Sequence, residues 1–174
     1  MPSPTGSFVY NQAGYEVLDR SATDTLDLET VTLKIMLVNA TYSAASDDAH
    51  KDIELVDAGG AADILDGEIV ATGYTGAYGG AGRLTIATVT WGAGPDDANN
   101  RVELDGADVD WGTLGNGAND TIVGAVLIVE DHLGVTGNDT ETRPVAFVDL
   151  ADTTTNGSGF QIQWSAEGII HYTH

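Results

Sequence analysis

Asp105, Asp108 and Asp110 form the pattern D-G-x-D-x-D, a run of hard oxygen donors of the kind Ca²⁺ takes. The spacing lacks the twelfth-position Glu of an EF-hand loop. The alternation around it sets Asp108 and Asp110 on the outward face of a strand whose inward residues are Ala107, Val109 and Trp111. A solvated acidic strand face explains the three carboxylates better than a metal site, and no cofactor is expected. Asp47-Asp48, Asp96-Asp97 and Glu130-Asp131 are acid pairs in loops, ordinary in so acidic a chain. Of the four histidines, His50, His132, His171 and His174, no two have ligand spacing on a shared element. Nucleophilic catalysis needs a base held against a Ser or Thr, and no Gly-x-Ser-x-Gly elbow is present. Gly73 to Gly82 is rich in glycine but lacks the Lys-Ser/Thr ending of a phosphate loop, and with Tyr74 and Tyr78 it reads as a mobile turn before a strand. No carboxylate pair stands out as a glycosidase pair. The chain is read as a non-enzyme.

Four N-x-[ST] sequons begin at Asn39, Asn119, Asn138 and Asn156 and take up half of the eight asparagines. They are candidate glycosylation sites, the last three in expected loops.

The dominant compositional fact is charge: 27 Asp and Glu against six Lys and Arg, a net −21 over 174 residues. Disorder requires low hydrophobicity as well as charge, yet 42% of the residues are hydrophobic. The acids are scattered between apolar runs, so the chain reads as folded with a negative surface. Self-repulsion of such a surface works against compactness in dilute buffer, whereas at molar salt the Debye length is ~3 Å. Asp in preference to Glu, with only two Lys, fits a protein of brine. Six bases cannot form a basic stripe, so direct nucleic-acid binding is not expected, nor is contact with an anionic membrane. The longest apolar run, Ile122 to Val129, is too short to span a bilayer. The opening Met-Pro-Ser-Pro-Thr-Gly shows no signal-peptide pattern, and the absence of Cys removes disulfides from the argument.

The pattern divides the chain into an extended arm, residues 1–10, and one β domain, residues 11–174. Pro2, Pro4 and Gly6 keep the arm irregular. Gln12 to Arg20 is the one helical stretch, with Tyr15 and Leu18 on one face. Val31 to Val38 has one apolar and one mixed face, the mark of a strand inside a sheet. Ile53 to Val56 and Glu68 to Ala71 are shorter strand candidates. Arg83 to Trp91 slips in phase, which predicts a β-bulge near Ala87-Thr88. Asp105-Gly106 between alternating runs predicts a hairpin. Ile122 to Val129, apolar on both faces, should be the most buried strand. Val145 to Leu150 follows with Pro144 at its head. Phe160, Ile162 and Trp164 share a face before a last strand, Ile169 to Tyr172. Eight to ten short strands predict an all-β antiparallel sandwich or barrel with one short N-terminal helix.

In order along the chain, the segment Leu26 to Val38, Tyr42 with Asp48-Ala-His50, Gly73-Tyr-Thr-Gly76, Val109-Asp-Trp111 and the stretch Gly159 to Ile169 resemble small head proteins of tailed double-stranded DNA viruses. The likeness runs over roughly Leu18 to Ile170. The sequence departs from it in a longer acidic middle, Asp57 to Asp66, and in the arm before Tyr10. The resemblance implies a virion component without enzymatic activity, a capsid decoration protein or surface projection; with the acidic surface, its host would be a haloarchaeon. Its partners would be the major capsid protein or other virion proteins and further copies of itself, as a trimer or pentamer. Lattice binding also needs an apolar patch and a chain end that reaches a neighbour. Phe8 and Tyr10, and near the other end Ile170 and Tyr172, are the candidate contacts. The alternative is a tail or fibre module binding a host glycan, which would need Trp91, Trp111 or Trp164 in an open cleft, although all three fall on core-parity positions. An acidic cell-surface domain of a halophile is a further possibility.

Overall fold

The computed structural model describes residues 6–18, 26–42, 52–53, 64–92, 101–130, 137–166 and 168–173. Among them are ten strands and one α-helix: β1 (Phe8–Val9), α1 (Asn11–Leu18), β2 (Leu33–Val38), β3 (Leu84–Thr85), β4 (Thr90–Trp91), β5 (Arg101–Asp105), β6 (Val109–Leu114), β7 (Thr121–Val129), β8 (Arg143–Thr154), β9 (Ser158–Ile162) and β10 (Ile170–Thr173). They pair antiparallel in a five-stranded sheet of order β1-β8-β7-β2-β3, a three-stranded sheet β10-β5-β4 and a two-stranded sheet β6-β9. The expected all-β, sandwich-like fold with one short helix is the observed one.

The most apolar run takes the middle of the large sheet. β7 lies between β2 and β8, and Val126 and Ile128 are fully buried. β2 beside it buries Leu33, Ile35, Met36, Leu37 and Val38, leaving Lys34 as its one partly exposed residue. A sheet covered on both faces demands this doubly apolar pattern. Gly124 in β7 lies under Phe147 of β8; a Cβ there would stand 2.4 Å from the ring. The space lets Phe147 stack on Tyr42 at 4.8 Å and on Phe8 at 5.5 Å. Ile128→Ala should therefore cost about 2–5 kcal/mol, the range for emptying a buried aliphatic position. Denaturant titration checks it, and a loss below ~1 kcal/mol would place β7 at the periphery.

The boundary of the arm moves. Phe8 pairs with Phe147 and Val9 with Ala146, and the Tyr10 N–H donates to Val145 O at 3.0 Å. Tyr10 is fully buried, its hydroxyl 2.6 Å from that of Tyr42. Three consecutive apolar residues form a short edge strand and its buried continuation, so residues 8–10 pack with the domain. The helix is described over Asn11–Leu18, with residues 19 and 20 of the expected stretch outside the described set; it turns Tyr15 outward (58% exposed) while burying Ala13 and Glu16.

Two turns also differ from expectation. The phase slip after Leu84 is a change of sheet: β3 joins β2, β4 joins β5, and Thr88 between them takes a left-handed φ of 53°. Asp105-Gly106 is a corner, since β5 pairs with β10 and β4 while β6 pairs with β9. Gly106 is required there by space: a Cβ would lie 2.7 Å from Ile86 Cγ2 and 3.0 Å from Ile169 Cδ1. Pro144 is the second residue of β8, where the register with β7 shifts, so its missing N–H falls at an irregularity. Of the two short strand candidates, Glu68 makes a single bridge to Val38, and Ile53 is buried; residues 54–56 lie outside the described set.

Candidate functional site

Two features stand out: a buried ionic cluster and an open apolar groove. Arg83, at the head of β3, is 2% exposed. Its Nε and Nη2 each donate at 2.8 Å to the two carboxylate oxygens of Glu68, a bidentate pair. Its Nη1 and Nη2 donate to Asp139 at 2.5 and 3.2 Å, and Glu130 lies 3.5 Å from Nη1. Glu130 also pairs with Lys34. Burial alone pulls the Arg83 guanidinium down, but the hydrogen bonds to Glu68 and Asp139 outweigh it and raise it above its ordinary value. Tyr74 donates to Glu68 at 2.8 Å, and its hydroxyl is held well above its usual value, first by burial and then by the Glu68 charge. It is therefore a donor at any neutral pH.

These carboxylates also capture the glycine-rich loop. The Ala77 N–H donates to Glu68 at 2.8 Å, Tyr78 to Asp139 at 3.0 Å and Gly79 to Glu130 at 3.3 Å. The Trp111 indole N–H donates to Gly82 O at 2.7 Å. The segment read as a mobile turn is thus tied down by three acids and one arginine. The carboxylates face a guanidinium and backbone amides, so the cluster is built as a fastening. A second buried arginine, Arg143, ties α1 to β8, with Nε 3.2 Å from Glu16 and Nη1 3.3 Å from Asp52.

The groove, about 530 Å³, opens between the β1–β8 edge of the large sheet and the chain running from β9 to β10. Phe8, Val148, Leu150, Trp164, Ile169 and Ile170 supply its apolar wall. It brings together two residues taken from opposite chain ends as contacts, Phe8 and Ile170. Phe8 is half-buried and Ile170 6% exposed. Tyr10 is not part of it; it is an interior residue of the chain's own core. Tyr172 is placed in β10 opposite Val102, and its side chain lies outside the described residues.

Asp105, Asp108 and Asp110 are each exposed and each accept from a different backbone amide: Gly106 at 2.8 Å, Trp164 at 3.0 Å and Gly112 at 2.7 Å. They serve corners and turns, and no group of three His, Asp or Glu suited to a metal occurs among the described residues. The sequons have a turn function as well. Asn39, Asn138 and Asn156 each accept from the N–H two residues on, at 2.8, 3.1 and 3.1 Å, the Asx-turn geometry. Asn39 also donates to Asp120 at 2.9 Å, which holds its amide. Asn119, Asn138 and Asn156 are exposed. Asp47, Asp48, Asp96, Asp97, Asp131, His50, His132 and His174 lie outside the described residues, and of His171 only the backbone is described.

The fold and groove define an antiparallel all-β protein with a partly exposed apolar groove beside the β1–β8 side of its large sheet. No family model, no curated protein and no solved structure matches the chain.

Proposed function

We propose that the chain is a non-enzymatic structural component of a virion, a capsid decoration or surface-projection protein that binds the outside of the shell as a symmetric oligomer. The acidic composition, 27 Asp and Glu against six Lys and Arg, supports a haloarchaeal tailed virus as that particle. One observation carries the reading: an apolar groove at a sheet edge, bordered by residues from near both ends of the chain, in a protein otherwise clothed in acid. Apolar patches of this kind on acidic surfaces mark protein contacts. A lattice contact is apolar at its centre and insensitive to the high salt that screens charge.

The second reading, a tail or fibre module for a host glycan, is favoured by Trp164 standing in the groove between Gln163 and Ser165. Its indole N–H, however, already donates to Ala107 O at 3.0 Å, and its ring packs on the core.

Leu150→Asp separates contact from fold, because Leu150 lines the groove and is half-buried. In molar KCl the variant should co-sediment with shells stripped of this protein roughly tenfold less than the parent chain, the scale of losing one packed anchor. Its melting midpoint should stay close to the parent's. Undiminished shell binding would remove the groove from the contact, and release of the parent chain by oligosaccharide would favour the glycan reading.

A further inference from the structure

We propose that the charge-free face built by β6, β9 and the glycine-rich loop binds the same face of a second copy of this chain, pairing copies about a two-fold axis. The proposal rests on the oligomer of the reading above and names the contact that forms it.

Three segments of the chain carry no charged side chain: residues 69–82, 111–119 and 153–161. Charged residues make up 19% of the sequence, so about six would fall among these 32 by composition alone. The fold sets the three side by side. The Thr72 N–H donates to Ala118 O at 2.9 Å, the Ala118 N–H to Thr72 Oγ1 at 3.0 Å and the Gly115 N–H to Thr72 O at 2.8 Å. Thr113 and Leu114 of β6 pair with Gly159 and Ser158 of β9, and the Gly157 N–H closes on Leu114 O at 2.7 Å. Of the 32 residues 19 are exposed, close to the roughly 20 a side of a stable interface. Glu68 and Asp139, which hold the loop amides, are buried, with side chains 7% and 5% exposed. Asp110, Asp120 and Asp152 flank the segments in sequence and stand outside them.

Charge selects the occupant. In a chain of net −21, two copies that meet through their acidic surface oppose carboxylate to carboxylate, a costly contact. Through this face they oppose hydroxyls and amides. A basic partner is drawn to the surrounding acids and finds nothing on the face to pair with. The exposed Thr75, Thr113, Asn116 and Ser158 each carry a side chain that both donates and accepts, so the face can satisfy a copy of itself. Such an isologous contact closes at two copies, in place of the trimer or pentamer that the resemblance implies. Fastening of the loop by buried acids also lowers the ordering cost of binding. A sugar is held best by a bare aromatic ring, whereas Trp111 is half-buried against Phe160 and gives its N–H to Gly82 O.

Sedimentation of the parent chain in molar KCl should show a concentration-dependent dimer. Thr113→Glu and Ala118→Glu each set a carboxylate on the face and should weaken self-association about tenfold or more. Thr113→Gln, equal in size and uncharged, should stay within about threefold of the parent. Melting midpoints report folding, and if one Glu variant fails to fold the other decides. A parent chain still monomeric at about 100 μM overturns the proposal, as do Glu variants that pair as well as the parent. Asn119 and Asn156 stand on this face, and a glycan on either in the native protein would block the contact and overturn it too. Shell binding is measured in parallel. Binding by a chain that stays monomeric defeats this inference alone, and pairing without binding defeats the shell reading alone.

Discussion

Replacing Arg83 with Met should lower stability by about 3–5 kcal/mol, the loss expected when one partner of a buried ion pair is removed and the other stays charged. The expectation is strong here because several carboxylates depend on the one guanidinium. Glu68 and Asp139 contact it at 2.5–3.2 Å, Glu130 lies at 3.5 Å, and all three side chains are at most 8% exposed. Lys34 still meets Glu130, but among the described residues Glu68 and Asp139 would face only neutral donors. The damage should spread to the Gly73–Gly82 loop, whose amides bond to those acids. Buried charges are screened little by salt, so raising KCl should not restore the variant. Denaturant unfolding in molar KCl is the check. A loss below ~1 kcal/mol, or full recovery in saturating KCl, would mean that the cluster is open to water and not a fastening.

Salt dependence of the parent chain is the second large effect. Of the six bases, Arg83 and Arg143 are interior and Lys34 is paired to Glu130, so these three leave the surface acids uncompensated. If each of the 21 excess charges gains roughly 0.2 kcal/mol of repulsion as the screening length grows from ~3 to ~10 Å, the total is about 4 kcal/mol. For a chain of this size that is a fall of roughly 10 °C or more in melting midpoint between molar and ~0.1 M KCl. Melts across a KCl series measure it directly. A midpoint that does not move with salt would sink the brine reading, and Ile128→Ala should shift the whole series downward without changing its slope.

The parts of the fold that were legible are those where one physical cause leaves one pattern. β7 and β2 were visible because burial on both faces leaves polar residues only at Lys34 and at Thr121, the first residue of β7. The changes of sheet at Thr88 and Gly106 were not, because a parity slip has the same form whether the strand bulges or leaves its sheet, and Asp-Gly suits a corner as well as a hairpin. Tyr10 was misplaced because prolines and a glycine before Phe8 hid a two-residue edge strand. The Arg83 cluster was hidden by the acidic background: Glu68, Glu130 and Asp139 look like any other acids until the fold converges them. Phe8 and Ile170 could be named singly, but their meeting in one groove depends on how β1 and β10 flank it.

The most direct test of the shell-binding reading is a cryo-EM map of the parent particle in its native brine, into which this fold is fitted. The account predicts density for the β sandwich on the outer surface of the capsid, in symmetric clusters, with the Phe8–Trp164–Ile170 groove turned toward a neighbouring chain. Particles whose shell carries no such density, or that show this fold only in the tail with the groove open to solvent, would contradict it.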